Sequence, residues 1–148
     1  MENNEKDRPG LGNPGDKPIL IVADDESISG WLYYIVSKEG FKIELAADGE
    51  EALDKARLLH PGLILLDPML PKFSGIEILR KLQEDDTAGI PIVIVSGHRL
   101  DHDTLETLKR EPNVKDFVDK LVRPEVLAAL LHDILGTRPA VKEENRGK

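Results

Sequence analysis

The stretch LILLDPMLPKFSG (63–75) opens with a solid apolar run, LILL, that ends at an aspartate, and ILIVA (19–23) likewise runs directly into acids. Such runs are typical of strands that a parallel sheet buries on both faces. Three more strand patterns occur at FKIELA (41–46), IPIVIVS (90–96) and DFVDK (116–120). Because FKIELA alternates and DFVDK is short and polar, we predict that these two strands lie at the sheet edges.

Helical patterns separate the predicted strands. Asp48 with Glu51, and Ser74 with Glu77, form possible capping boxes before two of these helices, and Pro124 suits the first turn of the last helix. Strands that alternate with helices predict right-handed crossovers and a parallel sheet. With the second and fifth strands outside, we predict an α/β fold: a flavodoxin-like, doubly wound, five-stranded parallel sheet of order 2-1-3-4-5 with helices on both faces.

The length of 148 residues suits one ordinary domain, and a hydrophobic content of 40% can supply one core. Both ends are rich in charge, glycine and proline and have little to bury. We therefore expect a flexible N-terminal tail at 1–17, a folded unit at 18–136 and a flexible C-terminal tail at 137–148.

Composition excludes several classes of function. The formal net charge of −8 disfavours a broad attraction to nucleic acid or anionic membranes. The chain has no cysteine, which excludes thiolate metal sites and agrees with a reducing compartment. Gly10, Gly12 and Gly15 spell G-x-G-x-x-G, but no strand precedes them, so no nucleotide-binding site is expected. We expect a cytoplasmic protein without direct nucleic-acid binding or membrane insertion.

In the predicted sheet order, the carboxyl ends of strands 1, 3, 4 and 5 meet at one rim, which collects Asp24, Asp25, Asp67, Ser96 and Lys120. Clustered carboxylates repel one another unless a cation neutralises them. Oxygen ligands without cysteine favour Mg²⁺, with Mn²⁺ as a second possibility. A carboxylate can attack phosphorus to form an acyl phosphate, and a hydroxyl and an ammonium can hold the added oxygens.

Each of these residues also has an ordinary structural explanation. Acids that follow a strand often begin a helix, Asp67 could simply cap a loop, and Ser96 could simply end its strand. Lys120 on an edge strand could protect the edge against aggregation. The common rim favours one functional site over separate structural roles.

The motifs ILIVADDE, LILLDPMLPKFSG, IVSG and DFVDK closely resemble those of the response-regulator receiver family of two-component signalling. The resemblance implies that Asp67 accepts a phosphoryl group from a sensor histidine kinase or a histidine phosphotransfer protein. It also implies that Mg²⁺ binds to Asp25 directly, to Asp24 mainly through water, to Asp67, and to the backbone carbonyl of Met69.

The same resemblance implies a conformational switch. Ser96 would follow the phosphoryl group inward, Lys120 would bind it, and Phe117 would change rotamer with it. The surface formed by the fourth helix, fifth strand and fifth helix would then bind a downstream protein partner, and dimerisation stays open. We expect a single-domain regulator that catalyses only its own phosphorylation and dephosphorylation.

Two departures from the family pattern keep alternatives open. Leu121 stands where the family usually has a proline after a cis peptide; since a cis bond before a non-proline residue costs about 3 kcal/mol, we expect a trans bond. Arg123 replaces the usual capping acid before the last helix. Both motivate a receiver-like interaction module that works without phosphorylation. A phosphatase of the haloacid dehalogenase type is disfavoured because Met69 stands where that class normally has a second acid.

Overall fold

The computed structural model describes residues 10–70, 73–84, 86–97 and 100–139. A short 3-10 helix (Pro14–Asp16) precedes five strands and five helices that alternate along the chain. The elements are β1 (Ile19–Val22), α1 (Glu26–Lys38), β2 (Ile43–Ala46), α2 (Gly49–Leu59), β3 (Leu63–Leu66), α3 (Gly75–Leu82), β4 (Ile92–Ser96), α4 (His102–Lys109), β5 (Val114–Asp119) and α5 (Pro124–Leu135).

The five strands form one parallel sheet in the order β2-β1-β3-β4-β5. This confirms the predicted fold class and strand order, with β2 and β5 at the edges. β1, β3 and β4 are buried along their whole length, as their solid apolar runs predict. β5 begins at Val114, two residues earlier than predicted, and its pairing with β4 is irregular between Ile92 and Val93.

Alternating strand residues supply two separate cores. Ile19 and Ile21 of β1 face α1 and α5, whereas Leu20 and Val22 face α2, α3 and α4. The helices therefore cover both faces of the sheet, as predicted. Because β3 lies in the middle, Leu65 is completely buried, with 0% of its surface exposed.

Side-chain caps define the starts of most helices. Ser74 and Glu77 form the predicted capping box before α3. Asp48 accepts the Glu51 N–H before α2, but the Glu51 carboxylate accepts from Ala47, one residue earlier than a capping box requires. Asp101 caps α4, and its hydrogen bond from the Thr104 backbone N–H lowers the pKa of the Asp101 carboxyl. This cap is therefore present above the ordinary aspartate pKa and is lost as pH falls through the folded-state value.

Residues beside both predicted tail boundaries contact one another. The Gly12 N–H donates to the Gly136 carbonyl at 2.8 Å, and the Arg138 N–H donates to the Gly12 carbonyl at 2.9 Å. Thr137 is buried next to His132, with 2.7 Å between the hydroxyl and Nδ1. Residues 1–9 and 140–148 of the predicted tails lie outside the described residues, and the division into tails and a folded unit stays a prediction.

Two further expectations concern the segment between β5 and α5. Within the described ranges every peptide bond is trans, including Lys120–Leu121. Arg123 is the N-cap residue of α5 and makes no side-chain capping bond, as its replacement of an acid predicts. Among all the residues that the structure describes, no helix has the length and apolarity needed to cross a membrane.

Replacing Leu65 by alanine should lower the free energy of unfolding by about 2–5 kcal/mol, because the change leaves a cavity in the core between the sheet and helices α1 and α5. The matched control is Leu58→Ala on α2, where the side chain is 78% exposed. That change should stay within about 0.5 kcal/mol of wild type. Urea unfolding of both variants measures the difference, and equal losses would contradict the assignment of β3 to the centre of the core.

Replacing Arg123 by aspartate should raise the free energy of unfolding by about 0.5–2 kcal/mol, because a carboxylate at the N-cap can accept a backbone N–H of the first turn of α5, which has no side-chain cap. Arg123→Ala is the control, since it removes the cation without supplying an acceptor. Thermal and urea unfolding should rank aspartate above alanine. The capping interpretation is wrong if the two variants are equally stable.

Candidate functional site

Asp67 follows the last residue of the central strand β3 and is buried, with only 2% of its surface exposed. Its backbone N–H donates to the Val22 carbonyl of β1 at 2.9 Å, which extends the strand pairing by one residue. Its Oδ1 accepts the Met69 N–H at 2.9 Å. The carboxylate is thus held between the ends of β1 and β3, where its burial would be costly without hydrogen-bond partners.

Asp24 and Asp25 follow β1 at the same rim and are both exposed. Asp25 is the N-cap residue of α1, and its Oδ1 accepts the Ser27 N–H at 2.8 Å. The ordinary capping explanation of this acid is therefore correct. It is compatible with a functional role, because the cap holds the carboxylate at the strand end two residues beyond Ala23.

Ser96 and Lys120 meet across β4 and β5. Ser96 ends β4 and is 2% exposed, and its carbonyl accepts the Lys120 N–H at 3.0 Å. The Lys120 ammonium donates to the Ser27 hydroxyl at 3.3 Å. A chain of contacts therefore runs from Ser96 through Lys120 and Ser27 to Asp25, and it joins the ends of β4 and β5 to the start of α1.

Phe117 and Met69 take different positions around this rim. Phe117 is half-buried and packs against the core cluster shared by α2, α3 and α4. The Met69 side chain is exposed, while its N–H binds Asp67. Their roles as a switch and as a carbonyl ligand stay predictions.

Two residues that sequence reasoning did not single out complete the rim. Gly97 lies so close to α1 that a Cβ there would be 2.4 Å from Cδ1 of Ile28, and the Lys120 Cδ would be 3.7 Å away. Ser27 supplies the hydroxyl that Lys120 contacts. Both lie within quoted motifs, ILIVADDE followed by Ser27 and IVSG ending in Gly97, but only the folded chain shows that they touch.

The oxygen-rich rim suits a hard divalent cation. Within the described ranges, no three His, Cys, Asp or Glu side chains are grouped so that they could hold a metal ion, so a three-carboxylate cage is not preformed. Mg²⁺ does not require one, since it usually takes one or two carboxylates and keeps several waters. Asp25 and Asp67 place two carboxylates at the ends of β1 and β3, and the ligand set of Asp24, Asp25, Asp67 and the Met69 carbonyl stays a prediction.

The fold and the rim define a doubly wound α/β domain whose polar groups gather at the carboxyl ends of its strands. A sequence profile of the response regulator receiver domain matches residues 19–132. The chain belongs to the response regulator receiver domain family.

Named relatives agree with this assignment. The chain is 37% identical over 120 residues to the alkaline phosphatase synthesis transcriptional regulatory protein PhoP of Bacillus subtilis, a match that covers 81% of this chain and 49% of PhoP. It is 38% identical over 112 residues to the DNA-binding response regulator MtrA of Mycolicibacterium smegmatis, which covers 75% of this chain and 47% of MtrA. The chain thus spans about half the length of these relatives.

Solved structures agree as well. A crystal structure of a CheY-like response regulator receiver domain protein from Methanospirillum hungatei has a TM-score of 0.69 and 29% identity, and the match covers 80% of this chain and 93% of that one. The chemotaxis response regulator CheY4 of Vibrio cholerae has a TM-score of 0.71 and 25% identity, with 80% and 98% covered.

Replacing Gly97 by alanine should cost about 1–3 kcal/mol of unfolding free energy, because the buried Ile28 side chain must move to admit the methyl group. Gly30→Ala is the control: that glycine lies within α1 and a Cβ there meets nothing within 4 Å. The control should stabilise the protein by about 0.5–1 kcal/mol, as expected for a glycine in a helix. Chemical unfolding of both variants checks the opposite signs, and a stabilising Gly97→Ala would refute the close packing of α1 against the rim.

Proposed function

We propose that Asp67 accepts a phosphoryl group from a sensor histidine kinase or a histidine phosphotransfer protein, in a reaction that depends on Mg²⁺. The observation that supports this most is the position of Asp67, buried at the end of the central strand and hydrogen-bonded to the Val22 carbonyl of β1 and to the Met69 N–H of its own loop. The acids that follow β1 and the lysine that follows β5 lie at the same rim of the sheet.

The chemistry follows from the groups at this rim. A carboxylate oxygen of Asp67 forms the new bond to phosphorus, the bond from phosphorus to the donor's imidazole nitrogen breaks, and an acyl phosphate results. Lys120 holds a phosphoryl oxygen through a charge-assisted hydrogen bond, and the Ser96 hydroxyl donates to another. Bound Mg²⁺, or Mn²⁺ in its place, would neutralise charge at the carboxylates. Water later hydrolyses the acyl phosphate, so the chain acts only on itself.

The added charge is the signal. The acyl phosphate carries about −1.5 to −2 charges where the carboxylate carried one, and it brings strong acceptor oxygens to the rim. Recruitment of Ser96 and Lys120 would shift the ends of β4 and β5, and Phe117 lies on β5, three residues before Lys120. The face formed by α4, β5 and α5 exposes Val126 by 47% and Leu121 by 90%, which supplies apolar contacts for a downstream protein partner.

The receiver domain itself is proposed to bind protein, with no direct contact to nucleic acid. The formal net charge of −8 supports this, since phosphate backbones attract basic surfaces. MtrA is named as a DNA-binding protein, and it is about twice as long as the part that matches this chain.

The second candidate is a receiver-like interaction module that works without phosphorylation. Leu121, which is 90% exposed beside Lys120, is the observation that favours it, because an apolar residue there changes the surface where a partner would bind. Partner affinity that beryllofluoride, a mimic of the phosphoryl group, leaves unchanged would support this candidate over the first.

Incubation with acetyl phosphate and Mg²⁺ should add the mass of one phosphoryl group to the wild-type protein, as measured by intact mass spectrometry. Asp67→Asn should abolish the added mass because the amide is not a nucleophile toward phosphorus. Asp54→Asn on the exposed surface of α2 is the matched control and should label like wild type. Removal of Mg²⁺ with a chelator should suppress labelling of every variant. Labelling that survives in Asp67→Asn would reject Asp67 as the acceptor.

A further inference from the structure

Ser27 contacts two charged residues of the site, Asp25 and Lys120. It lies in the first turn of α1, where its backbone N–H donates to Oδ1 of Asp25 at 2.8 Å. Its hydroxyl accepts from the Lys120 ammonium at 3.3 Å. One residue thus binds the carboxylate on one side and the lysine on the other, through two different atoms.

The packing around Gly97 keeps this contact in place. Ile28, the residue after Ser27, is 1% exposed, and its side chain lies directly over Gly97. The aliphatic stem of Lys120 passes the same glycine, with Cδ 3.7 Å from the position of a Cβ. Because the Lys120 N–H is also bound to the Ser96 carbonyl at 3.0 Å, both the backbone and the stem of the lysine are held beside α1.

We propose that Ser27 is a positioning residue whose hydroxyl holds the Lys120 ammonium at the start of α1 in the unphosphorylated protein. The hydroxyl then competes with the phosphoryl group on Asp67 for this ammonium. The inference rests on the proposed phosphorylation of Asp67. It adds a regulatory element to that site: the strength of the contact between Ser27 and Lys120 sets how readily the lysine is released to the modified aspartate.

The competition predicts that removal of the Ser27 hydroxyl strengthens ligand binding at the site. Removing the hydroxyl leaves the Ser27 N–H and its bond to Asp25 intact, so the helix cap and the carboxylate stay in place. Lys120 loses the hydroxyl that its ammonium contacts. A ligand that recruits Lys120 should then bind more tightly, since no contact has to be broken first.

The test measures the affinity for beryllofluoride in the presence of Mg²⁺. Binding is monitored through the fluorescence of Trp31, the single tryptophan of the chain. Ser27→Ala should lower the apparent dissociation constant about three- to tenfold, as expected for loss of a partly exposed hydrogen bond to a charged group. Ser27→Thr keeps the hydroxyl and should bind like wild type. The matched control is Ser37→Ala, which removes a hydroxyl at the far end of α1 that donates to the Tyr34 carbonyl.

A second measurement separates competition from a general effect on folding. In a Lys120→Met background, Ser27→Ala should change the affinity by less than about twofold, because the residue it released is gone. Unchanged or weaker binding by Ser27→Ala alone would overturn the inference, as would tighter binding that persists without Lys120. If the wild-type protein binds no beryllofluoride, the proposed function fails and this inference fails with it.

Discussion

The parallel register between β1 and β3 is the constraint on which the site depends. Both strands are apolar at every position, so the alternation of faces cannot by itself select one register. The polar side chain of Asp67 does so. In the observed register the Gly62 N–H donates to the Pro18 carbonyl at 2.8 Å and the Asp67 N–H donates to the Val22 carbonyl at 2.9 Å, so the carboxylate stays at the end of the strands. A shift that drew Asp67 between the strands would bury its carboxylate in an apolar layer, which is strongly unfavourable. The residue proposed to carry the chemistry therefore also helps to define the sheet.

Asp25 also has two roles, because it caps α1 and lies at the rim. Its Oδ1 is aimed at the Ser27 N–H, and the direction of this bond fixes the carboxylate relative to the end of β1. A cation bound there would meet a side chain whose orientation is already determined, so less conformational entropy would be lost on binding. Structural capping and proposed metal binding are thus two uses of one geometry.

Sequence patterns predicted the sheet well because burial dictates composition. Solid apolar runs identified β1, β3 and β4, alternation and polarity identified the edge strands, and Ser74 with Glu77 identified the start of α3. The start of β5 was missed because its first residues, Val114 and Lys115, precede a run that is mostly polar, and an irregular pairing with β4 leaves no periodic signal.

Side-chain contacts between distant segments could not be predicted in the same way. The sequence placed Asp24, Asp25, Asp67, Ser96 and Lys120 at one rim, because strand ends can be read from composition. The contact between Lys120 and Ser27 depends on rotamers and on the packing of Ile28 over Gly97, and these are set only when α1 docks on the sheet. For the same reason, the bonds that link Gly12 to Gly136 and Arg138 had no signal in a segment composed like a tail.

The loop after Lys120 shows how this chain manages without the usual proline. Asp119 stabilises this loop: its Oδ1 accepts the Leu121 N–H at 2.7 Å, and its carbonyl accepts the Val122 N–H at 2.9 Å. This carboxylate-stabilised turn contains the trans Lys120–Leu121 peptide and fixes the backbone on the far side of Lys120. Since the Lys120 N–H is bound to Ser96 on the near side, the lysine is anchored from both directions. The departure at Leu121 therefore alters the exposed surface of the α4, β5 and α5 face and leaves the position of the lysine backbone defined.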